Sequence, residues 1–168
     1  MQTPVWALTL SFWLHMLVTV TWVGGLATLS LLVFPLARRS LDAQAYAKFV
    51  RAVNKRLDPL GWFGLAAFTV TGLIQMGANP NYDGFLTVSN LWARAILIKH
   101  LAFFGIIGVS ATQTWKIAPG LERAALLRSR GKQDSSEENL LRRERLLMRW
   151  NLALGLLVLL LTAVARTA

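Results

Sequence analysis

Two histidines are the residues of this sequence best placed to do chemistry. His15 and His100 both lie within long apolar segments, where ionisable side chains are costly and are functional candidates by default. His15 comes nine residues after Trp6 and His100 nine residues after Leu91. At about 1.5 Å per residue, each lies roughly 13 Å below the outer end of its helix. Two imidazoles at one depth on two helices are typical of bis-histidine haem b ligation, in which each ring gives one nitrogen to the iron.

Several neighbouring residues suit a haem slot between the two helices. Small residues can widen the slot and aromatic residues can line it: Gly24, Gly25, Gly105, Gly108, Trp22, Phe103 and Phe104. Arg94, nearer the outer surface, can pair with a haem propionate. Lys99 has three interpretations, since it can extend outward to water, pair with a propionate or take a proton. A simpler alternative makes the histidines hydrogen-bonded packing residues and the glycines helix-packing positions.

Copper is the alternative to haem as the bound cofactor. Met16, beside His15, and Met76 offer soft sulfur atoms. Neighbouring helical positions point about 100° apart, so His15 and Met16 cannot easily bind one ion. The chain has no cysteine, which excludes thiolate sites. No phosphate-binding loop, nucleophile elbow or HExxH motif occurs, so whether the protein is an enzyme stays open. The predicted membrane interior also lacks the acidic residues that an ion pump would need.

The elements that must position these residues are transmembrane helices. Of the 168 residues, 55% are hydrophobic and 15% are charged, against about 25% charged in soluble domains. Mean hydropathy is +0.47, and the apolar residues form runs near bilayer length. We predict an all-α fold, an integral membrane four-helix bundle forming one domain over residues 1–168. Its helices are expected at about 6–34, 59–77, 91–115 and 148–165.

Prolines and turn residues set those expected limits. Pro35 is expected to end helix one, Pro59 to open helix two, and Pro119 with Gly120 to end helix three. Residues 41–57 have the pattern of a basic amphipathic helix, which either lies on the membrane or leads into helix two. Ser135 and Glu138 resemble a capping box before helix four.

Charge predicts the topology. Six of the 18 Lys and Arg residues lie in 36–57 and nine in 116–149, whereas 78–90 has none. The positive-inside rule therefore places the connectors 36–57 and 116–147 in the cytoplasm and both termini outside. The expected location is the inner (plasma) membrane, as a multi-pass protein in contact with the lipid bilayer. The net charge of +10 does not indicate nucleic-acid binding, because no recognition motif accompanies it.

Two pairs of short motifs resemble a known family. Trp-Leu-His at 13–15 with Trp-Val-Gly-Gly at 22–25 resembles the first helix of CopD-like copper-resistance membrane proteins. Trp-x-Arg at 92–94 with Leu-Ile-Lys at 97–99 looks like their later Gly-Arg-x-Leu-x-x-Lys helix. The layout is also similar to HemJ-type membrane protoporphyrinogen oxidases. The resemblance implies a four-helix module that handles a metal or haem near its outer half, with matching positions at His15, Trp22, Gly24, Gly25, Arg94 and Lys99.

The leading hypothesis is a membrane haem b protein for electron transfer, with iron held by His15 and His100. The second histidine is not part of the family pattern and supplies the second axial ligand. Bis-histidine ligation leaves no open iron position, which favours electron transfer over oxygen chemistry. A quinone or other membrane redox subunits are the expected partners, in an oligomer or larger complex. The alternatives are a CopD-like copper transport or resistance protein and a HemJ-like protoporphyrinogen oxidase.

Overall fold

The chain folds into four long helices that pack side by side. The computed structural model describes residues 4–84, 86–130 and 136–168. Helix one is Val5–Ser40, helix two Ala43–Gly77, helix three Leu91–Ser129 and helix four Ser136–Thr167, and all four are long and apolar enough to cross a membrane. The described residues contain no β-strand. The predicted all-α, four-helix membrane fold is therefore confirmed.

Side-chain caps explain where helices two and three begin. Asp42 accepts a hydrogen bond from the Ala45 backbone N–H at 2.8 Å, and Asn90 accepts one from Ala93 at 2.7 Å. These carboxylate and amide oxygens satisfy N–H groups that the first turn leaves without a helical partner. The predicted capping Ser135 lies outside the described residues.

Helices one and three pass through the prolines that were expected to end them. Helix one continues past Pro35 to Ser40, and helix three continues past Pro119 to Ser129. In both, a π-helical stretch comes immediately before the proline turn: Thr28–Val33 and Gln113–Ile117. Proline lacks an N–H and crowds the carbonyl four residues earlier. A wider π turn changes which carbonyl the following residues meet, so the chain accommodates both prolines without stopping.

Helices two and four are also longer than the predicted spans. Helix two begins at Ala43, so the amphipathic segment leads directly into the span, and Pro59 lies inside the helix instead of opening it. Helix four runs from Ser136, beside the capping-box pattern of Ser135 and Glu138, and continues through the predicted span of 148–165. Each helix therefore extends well beyond an apolar span of about 20 residues, and the basic extensions pack on one another.

The main buried core lies where these basic extensions meet, an end that we call the basic end. It contains Phe34, Tyr46, Ala47, Val50, Ile117, Leu121, Leu141 and Met148, from all four helices. Buried Glu137 pairs there with Arg51, at 3.6 Å, and with Arg128. Both basic connectors thus lie at the same end of the bundle, because the chain crosses the bundle twice between them. The opposite end, with the 78–90 loop and both termini, is called the loop end.

Large apolar side chains cover the outside of the bundle. Exposed examples occur on every helix, among them Val20, Phe63, Leu101 and Leu160. A surface this apolar is unfavourable in water and favourable against lipid tails. The structure therefore defines a multi-pass membrane protein in contact with the bilayer.

Candidate metal and polar sites within the bundle

His15 belongs to a polar cluster between helices one and two, near the loop end. Its Nδ1 lies 2.7 Å from the Thr71 hydroxyl oxygen. The Ser11 hydroxyl donates to the Thr71 carbonyl at 3.1 Å, and the Gln75 amide donates to the Ser11 carbonyl at 3.2 Å. We call these four residues the His15 cluster. The ring of Phe68 packs edge-on against His15, with 5.2 Å between centroids.

The hydrogen bonds around Thr71 fix the tautomer of His15. The single hydroxyl proton of Thr71 is donated to the Ala67 carbonyl at 2.6 Å. The hydroxyl oxygen can then only accept from His15, so Nδ1 carries the ring proton. In the neutral ring Nε2 therefore holds the lone pair. Metal-binding histidines are oriented in the same way, with one ring N–H donated to a protein oxygen and the other nitrogen given to the metal.

His100 has the same tautomer for a simpler reason. Its Nδ1 lies 2.7 Å from the Ile96 carbonyl of its own helix. A carbonyl oxygen only accepts hydrogen bonds, so Nδ1 is protonated and the lone pair of the neutral ring is on Nε2. Both histidines are part-buried.

The cationic residues predicted to flank the site differ in position. Lys99 lies close enough to His15 and to Arg166 for their charges to interact. Arg94 is exposed, and its Nε donates to the Val88 carbonyl at 3.1 Å, so it stabilises the start of helix three against the loop. Arg166 lies over the Phe12 ring at 5.2 Å, which brings a second cation to the loop end.

The predicted slot residues are not gathered around the two histidines. Gly24 and Gly25 are exposed, and a side chain at either would meet nothing within 4 Å. Trp22 is drawn inward instead, against the backbone of Gly64 and Gly155, where added Cβ atoms would lie 3.4 Å and 3.5 Å from its ring. Phe104 is exposed, so of the predicted lining residues Trp22 and Phe103 make ring contacts inside the bundle.

An aromatic layer fills the space in which a haem would have to sit. The Phe68 ring of helix two contacts His15 on one side and Phe103 of helix three on the other, at 5.2 Å and 6.5 Å between centroids. Trp22 closes on the same ring at 6.1 Å. The described residues therefore do not fit a haem between helices one and three, because Phe68 would have to leave first. Bis-histidine ligation stays a prediction.

The candidate sulfur ligands also lie apart from the His15 cluster. Met16 is exposed, as its position beside His15 on the helix requires. Met76 is buried against Trp92 and Ala93, so it belongs to a small packing core and not to the His15 cluster. Within the described ranges, no three His, Cys, Asp or Glu side chains come close enough to hold a metal ion.

A second polar cluster, which was not predicted, lies toward the basic end. The Glu144 carboxylate is 2% exposed and accepts from the Asn54 and Gln113 amides at 2.9 Å and 3.1 Å through one oxygen. Asn151 donates to the Gln113 amide oxygen at 3.0 Å and to the Ser110 hydroxyl at 3.2 Å. We call these five residues the Glu144 network. It joins helices two, three and four, and Gln113, in the second π stretch, bridges two turns of helix four.

Two oxygens of the network have no hydrogen-bond partner in the described chain. They are Glu144 Oε2 and Asn151 Oδ1, both fully buried. Buried acceptors are costly unless something donates to them. A cavity of about 260 Å³ at the basic end is lined by Asn54, Asp58 and Thr114, so it adjoins the network through Asn54.

The spacing of residues around Glu144 in the sequence could have predicted this network. Residues Leu141, Glu144, Met148, Asn151, Leu152 and Gly155 are all buried and follow the spacing of one helical face. Glu144 and Asn151 are seven residues apart on that face. The segment reads as a charged connector because arginines surround it, but those arginines occupy the other faces. Glu144 comes before the predicted span of 148–165, so the expectation of a membrane interior without acidic residues stays a prediction.

These features define a four-helix membrane protein with two internal polar clusters separated by aromatic rings. The sequence profile of one family, described as copper resistance protein D (CopD), matches residues 51–165. The match covers well over half of the chain, which belongs to the CopD family. The matched stretch contains the whole Glu144 network and His100, whereas His15 precedes it. No curated protein and no solved structure matches the chain, and the similarity to HemJ-type proteins stays a prediction.

Proposed function

We propose that this protein moves copper ions across the membrane through its four-helix bundle, with His15 as the ligand at the loop end. Membership of the copper-resistance family supports copper as the transported ion. The observation that carries the choice of residue is the fixed tautomer of His15. Its Nδ1–H is donated to Thr71, so Nε2 can bind an ion without any change in protonation. Imidazole nitrogen is a good ligand for copper.

The order of layers along the bundle supports passage rather than storage. An ion entering from the loop end meets the His15 cluster, then the rings of Phe68, Phe103 and Trp22, and then the Glu144 network with its cavity. Apolar constrictions between polar sites act as gates. In this proposal the aromatic rings separate the two polar ends until they move.

A transport site must also release its ion. The His15 cluster offers one ring nitrogen and neutral oxygens, and Lys99 adds a repelling charge nearby. Conduction requires binding that is strong enough for entry and weak enough for exit. A weak site of this kind suits an ion in transit better than a resident cofactor.

The test is copper flux with the purified protein in liposomes. Copper entry should depend on the protein and fall at least tenfold in His15→Ala, while Thr69→Val, which alters an exposed hydroxyl of helix two, should transport like the wild type. Equal flux in His15→Ala and in the wild type would contradict the role of His15. Flux no greater than that of empty liposomes, from correctly folded protein, would contradict copper transport itself.

Haem b electron transfer is a second candidate that the shared tautomer of His100 and His15 favours, and it requires the Phe68 ring to leave its place between His15 and Phe103. Its test is the visible spectrum of protein purified from cells with ample haem, first oxidised and then reduced with dithionite. A Soret band with sharp reduced α and β bands, lost in both His15→Ala and His100→Ala, would support it over copper transport. A featureless spectrum together with protein-dependent copper flux would exclude it.

A further inference from the structure

Four arginines surround a cavity between helices one and four at the basic end. The cavity has a volume of about 380 Å³ and is lined by Arg38, Arg39, Arg145 and Arg149, with Ser30, Phe34, Pro35 and Met148. Arg38 and Arg39 lie in the last turn of helix one. Arg145 and Arg149 are four residues apart, which places them on one face of helix four.

Among residues 4–84, 86–130 and 136–168, no carboxylate forms an ion pair with the arginines that line this cavity. In the described part of the chain, the ion pairs join Arg51 and Arg128 to Glu137, and none reaches the four arginines of the cavity. The neighbouring Glu144 is directed into its own network with Asn54. Like charges held together repel one another, so such a cluster is stabilised by an anion from outside the protein.

The wall of the cavity is apolar and the surroundings are those of a membrane interface. Phe34 and Met148 are almost completely buried at the wall. Exposed Leu32 and Leu36 continue along helix one, and exposed Trp150 follows Arg149. Tryptophan is enriched where a helix passes from headgroups into hydrocarbon. A ligand here would place its charge among arginines and its apolar part against helix one.

We propose that this cavity binds the phosphate headgroup of an anionic membrane phospholipid. Guanidinium groups bind phosphate through paired hydrogen bonds as well as charge. The volume lies within the range of small-molecule pockets, about 300 to 1,000 Å³. Basic pockets between transmembrane helices are suited to such headgroups, and inorganic phosphate would satisfy the arginines without using the apolar wall. The bound lipid would join the ends of helices one and four, where four arginines meet that form no ion pair with any carboxylate of the described residues.

The experiment compares two variants with the same change in net charge. Arg145→Gln/Arg149→Gln removes two cavity arginines, whereas Arg142→Gln/Arg143→Gln removes two exposed arginines of the same helix that do not line the cavity. Native mass spectrometry would measure phosphatidylglycerol binding to each detergent-purified protein. We expect about thirty-fold weaker binding in the cavity variant, from about 1 kcal/mol for each arginine near the surface, and near-normal binding in the control.

Further measurements distinguish a phospholipid headgroup from free inorganic phosphate, and a second variant covers the case in which the first does not fold. Phosphatidylcholine should bind far more weakly than phosphatidylglycerol, and inorganic phosphate should not displace the lipid. Arg38→Gln/Arg39→Gln tests the same cavity from helix one, in case the helix-four variant does not fold. Equal loss in the cavity and control variants, equal binding of the two lipids, or displacement by inorganic phosphate would each overturn the proposal.

Discussion

Replacing Thr71 by valine is the sharpest test of the His15 site. Valine has nearly the shape of threonine but no hydroxyl, so the substitution removes the acceptor of the His15 Nδ1–H and little else. The hydrogen bond from Ser11 goes to the Thr71 backbone carbonyl and is unaffected. The Ala67 carbonyl, which loses the hydroxyl proton, keeps its place in the helix.

The size of the effect follows from what His15 loses. Without its acceptor the ring is no longer held in one orientation, nor with its proton on Nδ1. Loss of such an orienting partner typically costs about 10- to 100-fold in metal affinity, which corresponds to about 1.4 to 2.7 kcal/mol. Thr71→Ser keeps the hydroxyl and should retain most of the affinity. In a His15→Ala background, Thr71→Val should have no further effect, because the group that it orients is already absent.

The assay is copper affinity of the detergent-purified protein, by competition with a chelator of known affinity. Thr69→Val is the matched control, since the Thr69 hydroxyl donates to the Leu65 carbonyl at 2.9 Å in the same way as Thr71 donates to Ala67. If both valine variants bind copper equally well, or if Thr71→Val weakens binding as much without His15 as with it, the tautomer argument is wrong.

Three further predictions concern the rest of the bundle. Glu144→Gln keeps an oxygen for both amide donors and should change the free energy of unfolding by no more than about 1 kcal/mol. Glu144→Leu leaves two buried donors unpaired and should destabilise the protein by about 1 to 3 kcal/mol for each donor. Thermal unfolding measures both variants, and equal stability of the two would contradict the prediction. Lys99→Met removes a positive charge that lies within electrostatic range of His15 and repels a bound cation. Copper should then bind His15 more tightly, by about tenfold for each ~1.4 kcal/mol of repulsion removed, and unchanged affinity would show that Lys99 does not act on the site. Phe68→Ala removes the ring shared by both sides of the aromatic layer, so copper should cross liposomal membranes faster and with less discrimination; a slower or unchanged leak in folded protein would argue against the gate.

The sequence predicts the fold well where hydropathy alone decides. Bilayer-length apolar runs and the absence of Lys and Arg from 78–90 identify four helices and bring the connectors to one end. These features survive because each depends on many residues at once, and no single packing contact can reverse them.

Prolines predict the helix ends poorly because each proline acts on a single turn, where the packing of the other helices can outweigh it. Pro35, Pro59 and Pro119 each lie inside or near the start of a continuing helical turn. A proline costs about 3 kcal/mol in a helix interior; before Pro35 and Pro119 a wide π turn eases that cost, and at all three positions the packing of the long helices offsets it. Sequence alone does not contain the tertiary packing that makes this possible.

The candidate site, too, could be predicted from the sequence only in part. The depth of His15 and its proximity to Lys99 follow from helical rise and chain direction, and the structure has both residues within electrostatic range. Its partner Thr71 depends on how helices one and two are rotated about their axes, which composition does not specify. The Glu144 network needs the heptad spacing of helix four and the π turn at Gln113 together, so no single motif indicates it.

The weakness of the His15 site as a metal centre is itself informative. A resident copper ion is normally held by several ligands, and the described residues bring no three suitable acidic, imidazole or thiolate groups together. A site with one oriented imidazole and a cation nearby cannot hold copper for long, because each missing ligand and each repelling charge lowers the barrier to departure. An ion that crosses a membrane must leave the site as often as it enters. The features that make His15 unsuitable for storage are therefore those that transport requires, and strengthening the site through Lys99→Met should slow copper flux even as it raises affinity.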